Sequence, residues 1–314
     1  METLVDNFDE FDACSSSEPS GLVTWTETDM AESETDWRSI CYGNDKFVAT
    51  AYSNKAVYSY DGISWIETDI SSTSRNWWSV CYGNDKFVAV SFDNKAAYSH
   101  DGINWTETDI SETKRHWCSV CYGNDRFVAV SNYSTKAAYS SDGINWTEIT
   151  ISETKMNWYS VCYGDGVFVA TAWNSTKAAY SRDGINWTET DISSTDRGWH
   201  SVCYGNGTFV AVAYSNKATY SHDGIHWIET NISEEDKDWQ SICYGNDKFV
   251  AVAYSNKFAY SHDGIHWIEA YINGTSTNWW SVCYGDDKFV AVADDSNKAA
   301  YVIADMLSTS QSNN

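Results

Sequence analysis

The chain has 314 residues, with 44 Asp and Glu against 20 Lys and Arg and a formal charge of −24. That balance excludes nucleic acid and anionic membrane surfaces as partners, because phosphate contacts need clustered Lys and Arg. Hydrophobic residues at 42%, including 16% aromatics, exclude global disorder, and no stretch is long enough to span a bilayer.

Residues 1–20 are acidic and Ser-rich and read as a disordered tail, with no basic start of a secretory leader. From residue 21 the chain repeats. Ser-x-Asp-Gly-Ile-x-Trp occurs at Ser59–Trp65, Ser99–Trp105, Ser140–Trp146, Ser181–Trp187, Ser221–Trp227 and Ser261–Trp267. Cys-Tyr-Gly stands between copies at Cys41, Cys81, Cys121, Cys162, Cys203, Cys243 and Cys283, spaced by 40 or 41 residues. A unit that short cannot bury a core alone, so its copies must stack.

In one unit, Trp77–Tyr82 reads as a first strand and Gly83–Lys86 as a turn. Phe87–Ser91 reads as a second strand and Lys95–Tyr98 as a third. Asp101-Gly102 is a hairpin signal leading into a fourth, Ile103–Thr108. Four short antiparallel strands per 40 residues make a propeller blade. The lone strand around Trp25 has no first three strands before it, and Trp279–Ile303 has no fourth after it. The predicted fold is therefore all-β: a seven-bladed β-propeller over residues 21–304, closed by the N-terminal strand, with residues 305–314 as a second tail.

Seven of the nine Cys fill one repeat position and lie a unit apart, too far for disulfides. They read as small buried thiols in a reducing compartment, which favours the cytoplasm without fixing a location. Cys14 and Cys118 stand outside the pattern. Asn-x-Ser/Thr sites at Asn104, Asn145 and Asn186 fall in predicted strands and carry little weight as glycosylation signals.

The Ser-x-Asp-Gly-x-x-Trp turn resembles the Asp-box of sialidase-like (BNR-like) propellers, shortened by one residue. Tyr-Gly-x-x-x-Phe-Val-Ala followed by Tyr-Ser-x-Asp-Gly-x-x-Trp also resembles uncharacterised bacterial and phage propeller-repeat proteins. The resemblance implies a structural role for Asp61, Asp101, Asp142, Asp183, Asp223 and Asp263, each capping its own hairpin, with the paired Trp packed between blades. It does not carry catalysis, since the six Arg residues of the chain match no substrate-carboxylate motif.

The internal copies can also be compared with one another. First-to-second and third-to-fourth turns are nearly constant, whereas second-to-third and fourth-to-first loops vary and share the other face. The residue after each first-strand Trp varies most: Arg38, Trp78, Cys118, Tyr159, His200, Gln240 and Trp280. These positions sit beside the central opening. Without Cys118 and with Trp173, they form the candidate ligand-binding set. Tyr52, Phe92, Tyr133, Tyr214 and Tyr254 lie in the second-to-third turns of the same face, and such aromatics suit sugar stacking or a peptide. Drift of an unconstrained face would leave the same pattern.

His-x-x-x-His at His222/His226 and His262/His266 lies on hairpins and defines no metal face. The acidic run around Glu234 reads as a solvated loop. No phosphate loop, nucleophile elbow or zinc spacing occurs, so neither cofactor nor metal is expected. The resulting expectation is a monomeric, non-catalytic module binding a glycan or peptide. The alternatives are a scaffold whose acidic surface meets a basic partner, and a glycosidase-like enzyme, which needs two carboxylates about 5–9.5 Å apart.

Overall fold

The computed structural model describes residues 24–32, 35–274 and 278–307; residues 1–20 lie outside it. Twenty-eight strands pair as seven antiparallel sets of four. Sets I to VI span 37–69, 77–109, 116–150, 157–191, 197–231 and 239–271. Set VII takes its inner three strands from 279–303 and its outermost, Thr26–Asp29, from the N-terminus. That strand runs antiparallel to Lys298–Ile303, with Thr26 opposite Tyr301 and Asp29 opposite Lys298. The first strands of the sets neighbour one another in a closed order, with VII beside I.

The pattern within a set follows from its residues. In set II the second strand, Lys86–Ser91, is covered on both faces, and Phe87 to Val90 have no exposed surface. The turn before it places Asn84 and Asp85 at φ 46° and 54°. Two consecutive left-handed residues match the twist of a two-residue hairpin and suit Asn and Asp. The first-strand Trp residues, Trp37 to Trp279, are fully buried. At about 200 Å² each, they contribute on the order of 5 kcal/mol apiece in area terms.

Neighbouring sets are locked at their inner strands by two contacts that repeat around the whole ring. The first is a hydrogen bond from the backbone N–H of Ile40, Val80, Val120, Val161, Val202, Ile242 or Val282 to a Ser Oγ of the preceding set, at 3.1–3.3 Å. The second is the Tyr of Cys-Tyr-Gly, whose ring lies on the Gly of the preceding set. A Cβ on Gly43, Gly83, Gly123, Gly164, Gly205, Gly245 or Gly285 would stand 2.0–2.1 Å from that ring's Cγ. Only glycine fits there.

The Asp-Gly turn is built by its own side chains. The Asp101 carboxylate accepts from Ile103 N–H at 2.9 Å and Asn104 N–H at 2.8 Å, while Ser99 Oγ accepts from Gly102 N–H at 2.9 Å. Asp61, Asp142, Asp183, Asp223 and Asp263 accept the same pair of backbone N–H bonds. Asn104, read above as a strand residue, lies in this turn, because the outer strand begins only at Thr106. Its amide donates to Asp101 at 2.8 Å, as those of Asn145 and Asn186 do to Asp142 and Asp183.

The C-terminal boundary moves outward. Ala304–Met306 form a 3-10 turn and Leu307 is fully buried in the cluster that holds Trp25. Leu307, assigned above to the tail, thus packs against the blades, while Asp305 and Met306 before it are exposed. The eight cysteines among the described residues are free.

Partial burial pushes the Asp101 carboxyl up, but its bonds from Asn104, Ile103 and Ser99 outweigh that and hold it well below the usual carboxylate range. Asp142, Asp223 and Asp263 behave alike. Their contribution to stability is complete above the unfolded carboxylate value of about 3.9 and is lost as pH falls through the lower folded values. Asp101→Ala is expected to lower the unfolding free energy by about 1 kcal/mol at pH 7, with the difference from wild type shrinking below pH 4 in urea titrations. Gly123→Ala, which sets a methyl against the Tyr163 ring, is expected to cost at least about 2 kcal/mol by the same measurement.

Candidate ligand-binding site

Every first strand carries an irregularity at one place. The register slips between the buried Trp and the Ser two residues on, at Trp37/Ser39 and at the same point in the six other sets. A bulge leaves its extra residue outside the ladder and re-aims that side chain. The bulged residues are Arg38, Trp78, Cys118, Tyr159, His200, Gln240 and Trp280, the most varied position of the repeat.

Their side chains meet across the axis of the ring. Trp78 of set II touches Trp280 of set VII and Tyr159 of set IV, with ring centroids 6.0 and 6.2 Å apart. His200 of set V lies 4.7 Å from Tyr159 and 6.4 Å from Trp280. Trp78–Trp280, Trp78–Tyr159 and His200–Trp280 all join sets that are not adjacent, so these rings bridge the axis. The opening expected on this face is therefore filled. Trp173 reaches the cluster from the end of the second strand of set IV, Val167–Ser175, 6.2 Å from Tyr159 and 5.9 Å from His200. Gly198 makes room for it, since a Cβ there would lie 2.2 Å from the Trp173 Nε1.

The turn aromatics extend the surface outward. Tyr52 and Phe92 flank Trp78 at 6.2 and 4.9 Å, and Tyr254 edges Trp280 at 6.1 Å. Tyr214 stacks on His200 at 6.2 Å, and Phe92 stacks on His116 at 4.0 Å. Tyr133 stands apart, 71% exposed and near Lys155. The result is a bowl with a packed floor and a rim of exposed rings, Tyr52 at 41% and Tyr214 at 52%.

Arg38 is the cation of the floor. Its guanidinium lies 4.3 Å from the Trp280 ring centroid and 5.3 Å from that of Trp78, and it pairs with Asp294 at 3.0 Å and Asp36 at 3.5 Å. Oxygen atoms of Asp36, Asp294 and Asp295 fall within 4.8 Å of one another. Burial raises both Asp36 and Asp294, and a hydrogen bond with Asp295 raises Asp36 further. Three carboxyls around one guanidinium leave the spot acidic overall.

Placement corrects the roles assigned from the sequence. His200 and Gln240 are buried and the Arg38 side chain keeps 12% of its surface, so all three present little surface to a ligand. Trp78, Tyr159, Trp173 and Trp280 are half-buried and keep some surface. The fourth-to-first loops are less free than their variation suggested. Ile70 and its equivalents are buried, and the following Ser accepts the indole N–H of the next Trp, as Ser71 does from Trp77 at 3.2 Å. His222 and His226 do not converge: the first meets the Gly207 carbonyl and the second the Asp223 carboxylate.

No protein-family model and no curated protein sequence matches the chain. Solved structures do. A catalytically inactive variant of virginiamycin B lyase from Staphylococcus aureus, solved with quinupristin, superposes with a TM-score of 0.81 at 13% identity, covering 89% of this chain and 98% of that one. A streptogramin B lyase gives 0.78 at 12% identity, covering 88% and 96%. YCF48 bound to D1 peptide gives 0.72 at 12% identity, covering 91% and 99%. The chain folds as a β-propeller. At these identities the likeness shows the fold alone, and the propeller's chemistry has to be read from its own residues.

Burial lowers His200 to about 4, so the ring in the floor is neutral where an unfolded His, near 6.5, takes up a proton. That contribution to stability is complete above pH 6.5 and is lost as pH falls toward 4, on the order of 3 kcal/mol across the window. An NMR titration of His200 is expected to have its midpoint near 4, and His200→Phe to flatten the loss of stability between pH 6.5 and 4.

Proposed function

We propose that this propeller is a non-catalytic binding module that seats a segment of a protein partner across the aromatic bowl. One observation carries the reading. A bulge in every blade delivers a different side chain to the same place, and those side chains, joined by turn aromatics, form one continuous surface. Six of these seven side chains are large, and rings dominate the rim, as in the anchor regions of protein interfaces.

A peptide suits this surface better than a sugar. Its central rings cross at 83–89°, in Trp78–Trp280, Trp78–Tyr159 and Tyr254–Trp280, so they edge one another rather than lie side by side. Nor is the residue constant from blade to blade, with six residue types at seven positions, so the bowl is asymmetric on a symmetric scaffold and matches an asymmetric ligand. The peptide-bound YCF48 structure supports the reading that a propeller of this kind can hold a peptide. The chain's charge of −24 and the acidic group around Arg38 favour a basic segment.

Random-sequence peptide display selected on the wild-type protein is expected to enrich basic, aromatic-containing peptides whose binding weakens as salt rises. Tyr52→Ser with Tyr214→Ser, at exposed positions, is expected to reduce binding of those peptides at least tenfold by calorimetry while leaving the melting temperature within a few degrees. Unchanged affinity in that double variant, and again in Trp78→Ala with Trp280→Ala, would refute the assignment.

A further inference from the structure

Four cavities recur at one position of the repeat, at the outer rim and away from the bowl. They lie between sets II and III, III and IV, IV and V, and V and VI, with volumes of about 530, 450, 660 and 590 Å³. These fall within the range of ligand-binding clefts, about 300–1,000 Å³. Each is framed alike. One blade gives the end of its outer strand and the Ile-Ser that follows, as in Asp109, Ile110 and Ser111. The next blade gives the Trp of its Asp-Gly turn and the Glu two residues on: Trp146 and Glu148, Trp187 and Glu189, Trp227 and Glu229, Trp267 and Glu269.

Each groove sets an indole beside a carboxylate. Trp187 and Trp267 direct their Nε1–H to the carbonyls of Gly184 and Gly264 in their own turns, at 3.4 and 3.2 Å. In these two grooves the indole N–H is satisfied within the turn, whereas those of Trp146 and Trp227 are buried without a partner; all four indoles are half-buried and keep part of their carbon surface exposed. Beside the indole the carboxylate is held in place by a cation in three of the four grooves. Arg115 pairs with Glu148 at 2.5 Å, Arg197 with Glu229 at 3.4 Å, and Lys257 with Glu269. An apolar face flanked by a fixed acceptor and fixed donors is what a pyranose ring needs, with its C–H face on the indole and neighbouring hydroxyls on the ion pair.

We propose that these grooves are a row of equivalent sites for a neutral glycan, each taking one sugar unit. Identical sites repeated around a rim match a ligand made of identical units, just as the unrepeated bowl matches an unrepeated one. The exposed carboxylates at the lips, Glu112, Glu153 and Glu234, repel anionic sugars and select neutral ones. Single sites of this kind are weak, and several engaged on one polymer bind by avidity.

Affinity electrophoresis of the full chain through gels containing laminarin, dextran, yeast mannan, galactan or glycol chitin tests the assignment. At least one polymer is expected to retard the wild-type protein. Trp146→Ala, Trp187→Ala, Trp227→Ala and Trp267→Ala singly should each weaken retardation several-fold, and the four together should abolish it. Should the fourfold variant fail to fold, Glu112→Arg, Glu153→Arg and Glu234→Arg together, which set longer side chains over the mouths of three of the four grooves, should reduce retardation several-fold. Tyr52→Ser with Tyr214→Ser should leave it unchanged, which separates these grooves from the bowl. Lack of retardation by all five polymers, or full retardation of a folded groove variant, would overturn the proposal.

Discussion

The inner circle of the ring depends on a tyrosine lying flat on a glycine of the blade before it, with a serine hydroxyl taking the neighbouring backbone N–H. Neither contact is large alone: a hydrogen bond of this kind contributes about 1 kcal/mol, and the Tyr–Gly contact is a matter of fit. Repeated at each boundary, they fix how closely adjacent blades approach. The buried tryptophans supply more energy, but they would tolerate several blade separations, whereas a glycine under a tyrosine tolerates one. The constancy of Tyr-Gly through the repeat follows from that.

The same lock explains where variation is possible. Along each first strand, Trp, Ser and the Tyr-Gly pair are committed to packing or to the neighbouring blade. The bulged residue between Trp and Ser belongs to neither the ladder nor the lock. It faces its counterparts across the axis and the side chains of the loops around them, so its identity is set by what these present. In this way a scaffold with near-identical units produces an asymmetric floor of Arg38, Trp78, Tyr159, His200 and Trp280, while its outer rim stays periodic.

Much of the architecture was legible from periodicity: the four-strand unit, the Asp-Gly hairpins and the pairing of the Trp25 strand with the end of the chain all rest on local turn chemistry and a constant spacing. Internal comparison also located the bulged position. What spacing could not show was that a register slip turns those side chains inward, so that a ring of rim residues became a plug. Asp294 escaped notice because its meeting with Arg38 joins opposite ends of the chain, and His116 because it stacks on a ring of the preceding blade. The Ser that accepts the N–H of five first-strand tryptophans did leave a trace, the recurring Ile-Ser after the outer strand, hidden among loop residues that vary.

Native-state hydrogen exchange at seven backbone amides tests the inner lock most directly: Ile40, Val80, Val120, Val161, Val202, Ile242 and Val282. If each N–H is held by the serine of the preceding blade, all seven exchange only through global unfolding and share one high opening free energy. Fast exchange at these amides, or protection that differs widely among them in a chain whose second strands remain protected, would contradict a ring closed by that contact.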